Sequence, residues 1–237
     1  MTLVSDPTSE TIDLASTSLR ELNQRLHGLT GAAGEPHRIV VANPRGLHNI
    51  AVGLDAPVEV LVEGHAGYYC AGMNKQADVR VTGNVGPGVA ENMMSGSVIV
   101  EHNASQYAGA TARGGLLVIR GNAAGRCGIS LKGADLVVDG SIGAMGAFLA
   151  QTGRMVVCGD TGDGLGDSIY ETRLYVRGKV AGLGADCIEK EMREEHLAEL
   201  RELLERAGVS DADASEFHRY GSGRKLYNFD IDHAGEY

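Results

Sequence analysis

Between Glu59 and Glu191 the chain divides into seven consecutive segments of 19 residues with no gap, beginning at Glu59, Asp78, Ser97, Leu116, Asp135, Arg154 and Arg173. The second place of each segment holds Val60, Val79, Val98, Leu117, Leu136, Met155 or Leu174, and the fourth holds Val62, Val81, Val100, Ile119, Val138, Val157 or Val176. The sixth is Gly64, Gly83, Gly121, Gly140, Gly159 or Gly178, with His102 the exception. Apolar residues alternating at period two and then broken by glycine spell a short strand, whereas an amphipathic helix needs apolar residues at i, i+3 and i+4. A fixed period near 20 marks a stacked repeat in which neighbours bury each other's apolar face. The eighth place (Ala66, Val85, Ala104, Ala123, Ile142, Thr161, Val180) and the sixteenth (Met93, Leu131, Ile169, Ile188) supply two further inner walls. The expected fold is an all-β solenoid, a right-handed parallel β-helix of seven 19-residue coils spaced about 4.8 Å apart. The sixth-place glycines are expected at turns of positive φ.

The seventh place reads His65, Asn84, Asn103, Asn122, Ser141, Asp160 and Lys179, so three asparagines stack on one corner and are expected to form an amide ladder. Its glycine content, 34 of 237 residues, suits narrow coils. A formal charge of −10 argues against nucleic acid or an anionic membrane as partner. With no apolar run long enough to span a bilayer and no signal-like start, the chain reads as soluble and cytoplasmic.

Residues 1–35 read as an N-terminal extension with a docking helix, started by the Ser18/Glu21 capping box, striped by Leu19, Leu22 and Leu26, and ending near Gly28. The solenoid domain is placed at residues 36–191, with Arg38 to Val58 as an irregular first coil that caps the open end. Residues 192–237 are left as a C-terminal helix and an aromatic tail. Ile188, Met192, His196, Leu197, Leu200, Leu203 and Leu204 fall at helical spacing before Gly208. That helix is expected to cover the last coil, and the tail carrying Phe217, Tyr220, Tyr227 and Phe229 to dock onto something. Helices thus cap both ends.

Several strings imitate chemistry. The glycine loops at Gly83, Gly86 and Gly88 and at Gly159, Gly162 and Gly164 lead from strand to strand rather than into a helix, so they read as coil turns, not phosphate cradles. His102 reads as a corner histidine hydrogen-bonded to its neighbours. Asp160, Asp163 and Asp167 project from corners of one coil and do not make a convincing cation site. Cys70 and Cys127 share a column three coils apart, about 14 Å at 4.8 Å per coil. Cys158 and Cys187 lie on other sides, so four reduced thiols are expected, with no metal or cluster. No nucleophile–base pair stands out, and neither catalytic nor cofactor-binding residues are assigned.

The third place must point outward, yet it reads Leu61, Ile99, Val118, Val137, Val156 and Tyr175, interrupted by Arg80. Such an apolar ladder on a soluble solenoid is a packing or interface surface. Its cover is either the chain's own helices, Leu19 to Leu26 or Ile188 to Leu204, or a partner subunit.

The Gly-x-x-Gly-x-Gly columns at Gly83, Gly86 and Gly88, and with altered last spacing at Gly140, Gly143 and Gly146, resemble the GXGXG β-helix domain of the glutamate synthase large subunit. The entry Asn43 to His48 and the tail Gly223 to Phe229 resemble free-standing versions of that domain, among them the β-helix subunit of N-methyl-L-glutamate synthase and the GlxC-type glutamate synthase-like proteins. The likeness covers about residues 36 to 230, and departs from the pattern at His102 and Ser105. It implies a scaffold without catalytic residues, held in a hetero-oligomer with a class II amidotransferase-like subunit and an FMN-binding synthase-like subunit that also carries a 3Fe–4S cluster. The scaffold subunit of formylmethanofuran dehydrogenase, a complex with a molybdenum or tungsten cofactor, also resembles the repeat, but the Lys225 to Phe229 tail favours the glutamate synthase branch. A free-standing acyltransferase would repeat at multiples of six, which 19 is not.

Overall fold

The structure is a computed structural model, and it describes residues 9–29 and 37–226. The described residues form an all-β parallel solenoid with two α-helices and one 3-10 turn. One face is an eleven-stranded sheet in the order β1-β2-β3-β4-β5-β6-β7-β8-β9-β11-β10. Its strands are β1 (Ser9–Asp13), β2 (His37–Ala42), β3 (Val58–Val62), β4 (Asp78–Val81), β5 (Ser97–Val100), β6 (Leu116–Ile119), β7 (Lys132–Val138), β8 (Thr152–Val157), β9 (Arg173–Val176), β10 (Cys187–Lys190) and β11 (His218–Ser222). From β3 to β9 the register advances by one segment per coil: Val60 faces Val79, Val98 faces Leu117 and Met155 faces Leu174. The second- and fourth-place side chains lie inside, all at 2% exposure or less. A second face is a run of parallel bridges through Ala66, Val85, Ala104, Ala123, Ile142, Thr161 and Val180. The twelfth and sixteenth places complete the core with Cys70, Val89, Cys127, Leu165, Met93, Leu131 and Ile169, all fully or almost fully buried.

The corner between these faces is joined by side chains in a way the expected amide ladder only partly captures. From Gly121 onward, each sixth-place backbone N–H reaches the sixth-place carbonyl one coil earlier, as Gly140 does to Gly121 at 3.1 Å. At the seventh place the acceptor is the side chain one coil earlier. Asn84 N donates to His65 Nδ1 (2.9 Å), Asn103 N to Asn84 Oδ1 (3.0 Å) and Asn122 N to Asn103 Oδ1 (2.8 Å). Ser141 N, Asp160 N and Lys179 N continue the series to Asn122 Oδ1, Ser141 Oγ and Asp160 Oδ1. Between asparagines the amide-to-amide bond is the one from Asn103 Nδ2 to Asn84 Oδ1, at 3.2 Å. The column is therefore chiefly an amide-to-backbone ladder, which is why a histidine, a serine and an aspartate can stand in it: each offers an acceptor at the same height.

The sixth-place glycines are explained by the same contact. In this column only Gly64 has positive φ, so the turn geometry expected from sequence is not what requires the others. A Cβ on Gly121, Gly140 or Gly159 would lie 2.5 Å from the seventh-place acceptor of the preceding coil, and one on Gly178 would lie 2.3 Å from the Gly159 carbonyl. The glycine loops at Gly86, Gly143 and Gly162 are close approaches too, with virtual Cβ atoms 2.5–2.6 Å from the backbone beneath.

Positive φ is concentrated instead at places eleven, thirteen and fifteen, and mostly in residues other than glycine: Tyr69, Ala71 and Met73, then Ala90 and Asn92, then Tyr107 and Thr111, and so on through Met145, Ala147 and Leu149. Left-handed backbone costs a non-glycine residue about 1–2 kcal/mol. Here the alternation turns successive N–H groups up and down the stack: Asn92 N donates forward to Ala110 O and Ala90 N back to Cys70 O, both at 2.9 Å. Every second N–H thus finds a carbonyl in a neighbouring coil without a regular strand.

The ends depart from the sequence reading in instructive ways. Helix α1 (Leu19–His27) has the Ser18/Glu21 capping box, and Leu22 and Leu26 enter the core. Strand β1 precedes it and pairs in parallel with β2, a coil not read from the sequence, so Arg38 to Val58 is an internal coil and α1 closes the open end. Asn23 fixes it there through Asn49 O (2.8 Å) and Ala51 N (3.1 Å). At the other end the seventh segment loses register: Leu165 pairs with Leu183, and Ile188 leaves the inner wall for β10, where it is 41% exposed. Helix α2 is therefore Glu194–Ala207, without Ile188, and ends at Gly208 in left-handed conformation. Helix α2 covers the outer face of the last coil at Tyr175, while the edge of that coil is paired by β11, which inserts antiparallel between β9 and β10. Asp186 fixes the exit from β11, accepting Ser222 Oγ at 2.6 Å and Lys225 N at 3.0 Å. Phe217 and Tyr220 are buried against this same chain, while Tyr227 and Phe229 lie outside the described residues.

Gly140→Ala is expected to lower stability by about 1–3 kcal/mol, because neither Asn122 Oδ1 nor the Gly121 carbonyl can retreat without breaking a coil-to-coil bond. In denaturant unfolding, the double change with Asn122→Ala should cost less than the sum of the two single changes, since the first obstacle is then gone.

Candidate functional site

The third-place ladder is divided by what lies on it. Val118, Val137, Val156 and Tyr175 are fully buried, and their cover is α2 with the segment after it: Leu200, Leu203, Leu204, Ala207, Val209, Ala214 and Phe217 form one apolar cluster with them. Leu61 and Ile99 are half-buried and Arg80 is exposed. Arg80 is paired with Glu101 at 2.7 Å. Arg120 donates to the Gly208 carbonyl (3.3 Å) at the C-terminal cap of α2.

Charges on the rim hold the helix in register. Asp135, 7% exposed, takes a bidentate pair from Arg154 (2.7 Å to each oxygen) and a third bond from Arg206 of α2 (2.8 Å). Glu199 of α2 receives the Tyr175 phenol at 2.5 Å and lies 3.2 Å from Arg173. Burial and the neighbouring Glu199 carboxylate push the Tyr175 hydroxyl well above its ordinary pKa, so it remains a donor. This network was not read from the sequence. Its trace there is the first place, which changes from Glu59 and Asp78 to Arg154 and Arg173 along the stack.

The remaining candidates are dispersed. His102 is exposed at its corner, and no hydrogen bond among the described residues engages its ring, unlike the neighbour-bonded histidine expected. Asp160 accepts Lys179 N, Asp167 accepts Ser168 Oγ and Ala185 N, and Asp163 is exposed, so the three do not converge. Among the described residues no group of three or more His, Cys, Asp or Glu side chains could hold a metal ion. All four cysteines are free and buried, and burial pushes each thiol up to about 12. Among the described residues no helix is long and apolar enough to cross a membrane. A second feature passed over in the sequence lies at places ten, eleven and fifteen of the early coils, where Tyr68, Met73 and Tyr107 are exposed.

Coils joined by parallel pairing, closed by a helix at one end and an antiparallel strand at the other, define a capped parallel β-solenoid. No protein-family model matches the chain. It is 63% identical over 226 residues to Protein GlxC of Rhizobium meliloti (strain 1021), a match covering 95% of this chain and 99% of that protein. The chain belongs to the GlxC family.

Changing Val118 and Val137 together to Lys should lower the melting temperature and make α2 susceptible to limited proteolysis, because each change removes roughly 1.5–3 kcal/mol of apolar burial and places a charge beneath the helix. Acid should loosen the same helix. His196 Nδ1 accepts Arg193 N at 3.2 Å, and desolvation, with Arg219 nearby, holds its pKa below the usual value. The unfolded chain then binds the proton more readily, so stability fully present above the unfolded-state value of about 6.5 is lost as pH falls from there through the lower folded-state value. His196→Asn should flatten this part of the pH–stability profile measured by thermal melting.

Proposed function

We propose that this chain is the non-catalytic scaffold subunit of a glutamate synthase-like multi-subunit complex, and within that class of N-methyl-L-glutamate synthase. That complex converts methylamine and L-glutamate to N-methyl-L-glutamate and ammonia. In this reading the solenoid holds a class II amidotransferase-like subunit against an FMN-binding synthase-like subunit that carries the 3Fe–4S cluster, and all three form a hetero-oligomer. Family membership and the GXGXG-like columns support the assignment. The observation that carries the scaffold role is the corner ladder. The polar side chains repeated along the solenoid, from His65 through Asp160, are engaged in joining one coil to the next, so the repeat is built for rigidity. The cysteines do not fit a cluster of this chain's own. Cys70, Cys127 and Cys187 face the main core and Cys158 lies beneath α2, and none is a ready thiolate.

The purified chain is expected to show no flavin or iron–sulfur absorbance, and to acquire both when recombined with the synthase-like subunit. A flavin or cluster band that stays with the chain after its partners are stripped away would overturn the reading.

A further inference from the structure

The eleventh place reads Tyr69, Gly88 and Tyr107 in three successive coils. Gly88 therefore leaves a missing side chain between two tyrosines whose rungs are about 9.6 Å apart, two coil spacings. The gap is lined. A Cβ built on Gly88 would lie 2.8 Å from Glu91 Oε2 and 3.6 Å from both the Tyr68 and Tyr69 rings, so a carboxylate and two aromatic rings converge on one point. Tyr68 is held in place by stacking on Tyr69 (centroids 5.5 Å apart, 27° between planes) and by the edge of His48 at 6.4 Å. It is still 46% exposed, and Met73 of the same coil and Tyr107 two coils on are exposed as well. Glu91 is half-buried, and its side chain has no hydrogen-bond or ion-pair partner among the described residues. Desolvation, with no compensating charge near it, raises its pKa.

A carboxylate partly screened from water and without a partner gains more from an approaching cation than a fully solvated one does. The tyrosines add planar faces suited to a guanidinium, and exposed tyrosine and methionine together are the residue types enriched where protein surfaces meet. We propose that this patch is a docking point for a partner subunit, reached by an arginine side chain that pairs with Glu91 and packs against Tyr68. The proposal rests on the scaffold reading and names one of the surfaces that reading requires.

To test it, the full-length chain is purified from its own cells with the polypeptides that hold it. These are identified by mass spectrometry, and each is titrated against wild type and the Glu91→Arg, Glu91→Gln and Tyr68→Ala variants. One of them is expected to bind Glu91→Arg and Tyr68→Ala at least about tenfold more weakly, with Glu91→Gln between and less sensitive to salt, while melting temperatures stay at the wild-type value. A photo-crosslinker at Tyr107 should capture an arginine-bearing peptide of that polypeptide, and reversing this arginine to Glu should restore binding to Glu91→Arg. Unchanged affinity across the variants would overturn the docking point and leave the scaffold reading standing. A wild-type chain that binds no polypeptide would overturn the scaffold reading itself. If the variants instead abolish self-association in sedimentation, the cation comes from a second copy and the partner assignment is wrong.

Discussion

The backbone N–H of the seventh place governs the corner of every repeated coil. Its neighbours find carbonyls: in the later coils the sixth-place N–H points one coil back, and the eighth-place N–H points one coil forward, as Ile142 does to Asp160 O at 2.9 Å. The seventh is served by a side chain from the coil beneath, and leaving it unpaired in six successive coils would accumulate a penalty of about 1–3 kcal/mol wherever it is shielded from water. Meeting that need places an acceptor directly under the next sixth-place residue, which is glycine in all but one coil. Acceptor and glycine are thus one device, and both recur at 19 residues because they must meet across the same coil spacing. His102 is the one side chain in the column, and its carbonyl still accepts from Gly121 N at 3.0 Å, so the stack continues above it.

Rigidity of this kind has consequences for what the molecule can do. Side chains engaged between coils are not available to substrate, and the left-handed alternation at places eleven to fifteen fixes the path of the third wall by hydrogen bonds in both directions along the stack. What varies from coil to coil is the outward surface, and there the solenoid is asymmetric. Its later rungs are covered by α2 through an apolar cluster and the Asp135–Arg154–Arg206 and Tyr175–Glu199 contacts. Its earlier rungs carry Leu61, Ile99 and the exposed tyrosines and methionine with less or no cover. A solenoid whose own helix occupies one half of a ladder presents the other half to its surroundings in a fixed orientation.

The fold could be read from the sequence because a solenoid stores its three-dimensional neighbours at a constant offset in one dimension. Val60 and Val79 face each other in space because they are 19 apart in the chain, and a single period reveals both the inner walls and the corner column. The capping box at Ser18 and the left-handed stop at Gly208 were legible for a similar reason: their partners are within a turn of helix. The third-place ladder could be listed residue by residue, yet α2 as its cover depends on contacts such as Tyr175 with Glu199 that share no offset with anything else.

The sequence by itself determined the coil, its register, its core columns and the existence of an outward apolar ladder, since all follow from periodic burial. Tertiary structure alone decided the rest. It showed that sixth-place glycine answers a close approach rather than a turn, because the obstacle is an atom of another coil. It drew Ile188 out of the inner wall and β11 in between β9 and β10, because the last coil has no successor and its edge must be paired by chain returning from elsewhere. It also gathered Tyr68, Tyr69 and Glu91 around the space at Gly88, a convergence that no single column of the repeat contains.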